Sequence, residues 1–179
     1  LILSGNIRGY WVDKNNRKFI ARKRLIKDVR VNLLLAWIRN HFPEIPIVFL
    51  LRHPCATVIS QIDRKHRFGS LAAEFLSQEE LVEDYLFPFI DIIREVDLRS
   101  DFEKRICRWC IQNYVPLSQL VGTDVYVAYY ERLSVHPQEE FRRIFNYLGE
   151  KYSSRFNEKV GVPSSTTGVD SIMAIRRGK

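Results

Sequence analysis

The sequence predicts a three-layer α/β domain, a parallel sheet flanked by helices. Two short apolar runs, residues 45–51 and 125–130, are bounded by breakers, as strands buried on both faces are. Helical patterns with readable ends lie between and after them. The order strand, helix, strand, helix, a helical insert, then one more strand and helix is that of parallel strands joined by right-handed crossovers.

Residues 24–28 read as a third strand ahead of a polar turn. Residues 32–41 carry Leu33, Leu34, Trp37 and Ile38 on one stripe, and the helix stops near Pro43. The strand at 45–51 is split by Pro46. Pro54 follows it directly, where proline suits the first helical position, and predicts a helix to about Lys65. Ser77 with Glu80 and Ser100 with Glu103 each have capping-box spacing and announce two more helices. The second keeps Phe102, Ile106, Trp109 and Asn113 on one face, with Cys110 beside them. Pro137 opens a last helix whose Phe141, Ile144, Phe145 and Leu148 share a stripe, and Gly149 closes it. From Pro163 to Gly168 the chain is loop-like.

The 179 residues, 46% hydrophobic and 12% aromatic, suffice for one domain spanning 1–179 with its own core, which excludes a disordered chain. No apolar run approaches the roughly 18 residues that span a bilayer, and the opening residues lack a signal-peptide pattern. Lys and Arg outnumber Asp and Glu by 28 to 21, a net +7 that favours an anionic partner: a nucleotide, a sulfated or phosphorylated substrate, or nucleic acid. Three cysteines argue against a disulfide scaffold and for a reducing compartment, with a cytoplasmic location favoured. Cys107 and Cys110 form a C-x-x-C inside a helical pattern with no second pair to complete a zinc site, so they read as core-facing thiols and no metal is expected.

In parallel α/β sheets, ligands sit beyond the carboxyl ends of strands. That rule points to Lys27-Asp28, Arg52-His53-Pro54 and Tyr130-Glu131. The segment 47–60, I-V-F-L-L-R-H-P-C-A-T-V-I-S, sets an arginine at a strand end and a serine eight residues on in the next helix. A strand end and a helix N-terminus offer free N–H groups and a positive dipole end, and Arg52 adds a planar fork matched to phosphate. Ser60 adds a hydroxyl if its face turns toward the ligand. The plainer alternative has Arg52 pairing a carboxylate and Ser60 as an ordinary helix residue.

This strand-Arg-x-Pro-x5-Ser pattern resembles the 3′-phosphate-binding motif of the sulfotransferases that use PAPS (3′-phosphoadenosine 5′-phosphosulfate), whose fold is P-loop NTPase-like. Two further segments match in the family's order. Residues 125–149, V-Y-V-A-Y-Y-E-R-L-S-V-H-P-Q-E-E-F-R-R-I-F-N-Y-L-G, are similar to the strand ending in Tyr-Glu and the Pro-initiated helix ending in Leu-Gly; Tyr130 falls on the tyrosine near the adenine. Residues 175–179, I-R-R-G-K, are similar to the Arg-Lys-Gly loop that folds over the 3′-phosphate, with Arg176, Arg177 and Gly178 in the motif and Arg177 in place of lysine. The alternatives are a buried tyrosine and a solvated basic tail.

The resemblance also places Lys27 next to the reaction centre, where it would stabilise charge on the leaving group. The family's Lys-Thr-His reads Lys27-Asp28-Val29 here, without the histidine base, and Asp28 is the remaining candidate. The Gly-rich loop that cradles the 5′-phosphosulfate is not supplied by Leu3-Ser4-Gly5-Asn6 or Arg8-Gly9. The expectation is therefore a partial sulfotransferase domain, incomplete at its N-terminus, inactive alone but part of an enzyme that moves a sulfuryl group from PAPS to a hydroxyl or amine acceptor without a metal. Phe68, Phe75, Tyr85, Phe87 and Phe89 would form an apolar acceptor wall or simply core. Two rivals remain. A non-catalytic PAP-binding or interaction domain is suggested by the missing loop and histidine. A basic nucleic-acid-binding module is suggested by the charge and by Arg64, Lys65, His66 and Arg67, but it lacks an aromatic RNA-binding signature or helix-turn-helix.

Overall fold

The computed structural model describes residues 23, 25–62 and 68–153. The two apolar runs form the sheet: β1 (Val48–Leu51) pairs in parallel with β2 (Tyr126–Tyr129), in a register that sets Val48 against Tyr126 and Leu51 against Tyr129. The architecture is mixed α/β and mostly helical. In chain order the helices are α1 (Leu35–His41, after a 3-10 turn at Asn32–Leu34), α2 (Pro54–Ile62), α3 (Glu79–Leu81), α4 (Ile90–Val96), α5 (Asp101–Gln119), α6 (Tyr130–Val135) and α7 (Pro137–Tyr147). Wider π-type turns occupy Ala72–Leu76 and Val82–Leu86.

The expected third strand does not form. Residues 25–28 are irregular, and the Asp28 carboxylate accepts the Arg30 N–H at 2.7 Å. An aspartate that bonds the backbone two residues on offers the chain a turn instead of a ladder. Ser77 does not cap a helix either. The preceding helical segment runs up to it, so its hydroxyl donates back to Ala73 O at 2.8 Å, and α3 starts after Gln78. Ser100 fulfils its expectation, because its side chain accepts the Glu103 N–H while Glu103 reaches back to the Ser100 N–H. Pro137 opens α7, and Gly149 closes it at φ 66°, with Gly149 N–H on Asn146 O and Glu150 N–H on Phe145 O. That double bond pattern satisfies two carbonyls of the last turn, and a residue with a Cβ adopts its left-handed backbone only with strain.

Two apolar clusters meet on α5. Leu71, Phe75, Leu86, Ile93, Ile111 and Val115 pack the helical insert against one side; Leu35, Phe49, Leu51 and Leu120 join α1 and the sheet on the other. The buried positions Ile111 and Val115 lie on the Cys107 stripe, while on the Phe102, Ile106, Trp109 and Asn113 face that periodicity favours, Asn113 is buried and Trp109 packs against the second cluster. Phe102 and Ile106 instead line an apolar groove against α4. Cys107 is a free, half-buried thiol whose pKa burial pushes up. Inside α5, Pro116 has no N–H for Gln112 O, and Asn32 Nδ2 donates to that carbonyl at 3.2 Å. No helix among the described residues is long and apolar enough to cross a membrane.

Asp97, at the end of α4, fastens the insert. Its carboxylate accepts the Ser70 hydroxyl at 2.6 Å and the N–H groups of Leu71 and Ala72 at 2.7 and 3.3 Å. The Ser70 bond, with help from the two N–H groups, holds its pKa below the ordinary aspartate value against the opposing effect of desolvation. A depressed folded-state pKa contributes stability above the unfolded pKa, and that stability is lost as pH falls through the folded value. Asp97→Asn should therefore cost about 0.5–2 kcal/mol near neutrality, the scale of a lost helix cap. The gap from wild type should begin to shrink below roughly pH 4, the unfolded aspartate range, and close as pH falls through the lower folded value. Urea unfolding across pH checks this, and a gap independent of pH would overturn it.

Candidate functional site

Parallel pairing sets the carboxyl ends of both strands side by side, and the register decides which side chains meet beyond them. Because Leu51 faces Tyr129, the next residues out are Arg52 beside Tyr130, then His53 beside Glu131. Both pairs are in contact. The Arg52 guanidinium lies over the Tyr130 ring, 4.6 Å from its centroid, inside cation–π range. The His53 backbone N–H donates to Glu131 Oε1 at 2.9 Å.

Helix α2 springs from this corner. His53 O accepts the Thr57 N–H at 3.0 Å and the Thr57 hydroxyl at 3.1 Å, so Pro54 occupies the first helical position, where its missing donor costs nothing. The Glu131 carboxylate thus stands at the positive end of α2. It is engaged by His53 rather than by Arg52, unlike the plain carboxylate pairing that the sequence left open. Arg52 Nε is buried and has no hydrogen-bond partner among the described residues. Such an unmet donor costs roughly 1–3 kcal/mol.

Of the residues singled out from the sequence, the structure joins Arg52 and Tyr130. Ser60 sits half-buried in α2, about 9 Å along the helix axis from Pro54 at 1.5 Å per residue, and makes no hydrogen bond to Arg52 among the described residues. Lys27 and Asp28 are exposed in the irregular segment and occupy no strand end. Arg176, Arg177 and Gly178 lie outside the described residues, as do Arg64, Lys65, His66 and Arg67. Set against protein-family models, curated proteins and solved structures, the chain matches none.

The aromatic residues of the insert mostly serve packing. Phe75 and Tyr85 belong to the core, and Phe68 lies under the Arg105 and Arg108 guanidiniums at 5.0 and 5.4 Å. Phe89 meets Tyr114 edge-on, and Phe87 is exposed. The residue whose task sequence reasoning did not foresee is Glu131. Tyr-Glu at a strand end is visible in the sequence, but its partner is a backbone amide fixed only by the register. Glu131→Ala should cost about 0.5–1 kcal/mol, as capping losses do. Denaturant titration checks this, and unchanged stability would mean the His53 bond contributes nothing.

Proposed function

We propose that this chain carries the 3′-phosphate-binding portion of a PAPS-dependent sulfotransferase, an enzyme that transfers a sulfuryl group to a hydroxyl or amine acceptor. The observation that carries the reading is Arg52: a guanidinium at the carboxyl edge of a parallel strand pair, backed by an aromatic ring, with a donor left unmet among the described residues. Phosphate chemistry suits it. A guanidinium fork presents parallel donors to two phosphate oxygens, and stacking on Tyr130 orients the fork without consuming those donors. The net charge of +7 favours the same class of ligand.

In this reading Arg52 and Ser60 hold the 3′-phosphate, Tyr130 lies by the adenine, and Arg176, Arg177 and Gly178 close on the phosphate. PAPS supplies the sulfuryl group. Transfer needs little covalent work from the protein, so positioning and charge compensation by basic groups carry the rate. Lys27 and Asp28 are the proposed groups near the reacting oxygen atoms. Their exposed, strand-free setting supports a second reading, a domain that binds the nucleotide without turning it over.

Arg52→Ala should weaken binding of adenosine 3′,5′-bisphosphate by about 1.5–3 kcal/mol, roughly 10- to 150-fold, and leave adenosine 5′-monophosphate nearly unaffected. Arg52→Lys should recover only part, since lysine lacks the fork. Calorimetric titration of both ligands decides, and equal losses for the two would overturn the assignment. With an upstream segment that supplies the 5′-phosphosulfate loop restored, binding without turnover of labelled PAPS over a broad acceptor panel would favour the second reading; turnover above a protein-free control would exclude it.

A further inference from the structure

Helix α6 carries both Tyr130 and Glu131, yet it has six residues and none of them is fully buried. So short a helix has no intrinsic stability in water, and its orientation must come from tertiary contacts. Its charged tether is unusual. Arg132 Nη2 bonds Glu140 Oε1 at 2.9 Å, and Glu140, on α7, is only 3% exposed although Arg132 is half-exposed. The same carboxylate accepts Arg143 Nη1 at 2.7 Å and faces the Tyr126 hydroxyl of β2 at 3.5 Å. A carboxylate removed from water persists only when paired and hydrogen-bonded, so Glu140 is fixed by α7 and β2 before it meets Arg132.

Seven residues further along α7, the Tyr147 hydroxyl accepts the Ile47 N–H and donates to Ile47 O, both at 3.1 Å, which ties the helix to the entry of β1. Helix α7 is thereby a strut between the start of the sheet and the far end of α6.

We infer that Glu140 is a positioning residue for the anion site: through Arg132 it sets the angle of α6 so that Tyr130 lies over Arg52 and Glu131 meets the His53 amide. The inference deepens the nucleotide reading, but its main test needs no nucleotide. A proton near an aromatic face is displaced upfield in the NMR spectrum, so the Arg52 δ-methylene signal of the ligand-free protein reports the stack, and Tyr130→Leu supplies its unstacked position. Arg132→Met cuts the tether while Glu140 keeps Arg143, so the fold is retained. The Arg52 signal should move most of the way to the Tyr130→Leu position. Arg143→Met removes the other partner of the same carboxylate and should leave the Arg52 signal in place, which a general loss of stability would not do.

In parallel, Arg132→Met should lower the ratio of affinities for adenosine 3′,5′-bisphosphate over adenosine 5′-monophosphate several-fold. An unmoved Arg52 signal in Arg132→Met, equal movement in both variants, or no upfield displacement in wild type would each overturn the inference. Failure of wild type to bind either nucleotide would overturn the functional reading alone, with the ring-current comparison still deciding the role of Glu140.

Discussion

The pairing of β1 with β2 is the constraint on which the site depends. Side chains alternate faces along a strand, so a slip of one residue would turn Phe49 and Leu51, both buried, out of the core. Burial on that face excludes a one-residue slip, and the observed register brings Arg52 beside Tyr130 and His53 beside Glu131, contacts that the tilt of α6 then completes. A two-stranded sheet has little stability of its own. Its hold comes from α1, from Leu120 at the end of α5, and from the Tyr126 and Tyr147 rings, 5.4 Å apart.

Helix α5 passes that hold to the rest of the molecule, since both apolar clusters lean on it and its proline sits between them. Pro116 would leave a carbonyl of a buried helix unmet, a penalty comparable to a lost hydrogen bond. The Asn32 amide meets that carbonyl, and by doing so it joins the turn before α1 to the middle of α5. A local defect thus becomes a long-range contact between segments 80 residues apart. The insert is closed in a comparable way by Asp97, whose carboxylate serves the start of a helical segment that lies well before it in the chain.

Much of this was legible. The strands at 48–51 and 126–129, the start of α2 at Pro54, the capping box at Ser100 and both ends of α7 follow from signals that act within a few residues. Where local signals compete, the reading failed. Ser77 has the spacing of a cap, but a helix already ending there claims its hydroxyl; residues 25–28 have strand composition, but Asp28 bonds its own backbone. Of the two buried faces of α5, the pattern shows the Trp109 and Asn113 side but not the Ile111 and Val115 side, because a helix with apolar residues around much of its circumference does not say which faces meet a neighbour. At the site, Arg52 and Tyr130 were each visible as strand-end residues, while their contact and the capture of His53 by Glu131 depend on register, which no local pattern encodes.

The corner beyond the strands holds opposite charges that do not neutralise each other, and this matters for an anion site. Had Glu131 paired with Arg52, an incoming phosphate would have had to displace a carboxylate from the guanidinium and leave that carboxylate without a partner. Instead Glu131 is bound to a backbone amide, which has no charge of its own to lose, and Arg52 rests on an aromatic face, which attracts the cation without occupying its N–H groups. The division has a consequence for affinity. The His53 amide at the head of α2 is already committed, so helix-end donation can add little at that position, and in the proposed nucleotide site discrimination between phosphorylated and unphosphorylated ligands would fall to the guanidinium. Whatever keeps Tyr130 and Glu131 on their separate partners therefore governs the charge available at the corner, and in this fold that is the tilt of the six-residue helix on which both side chains stand.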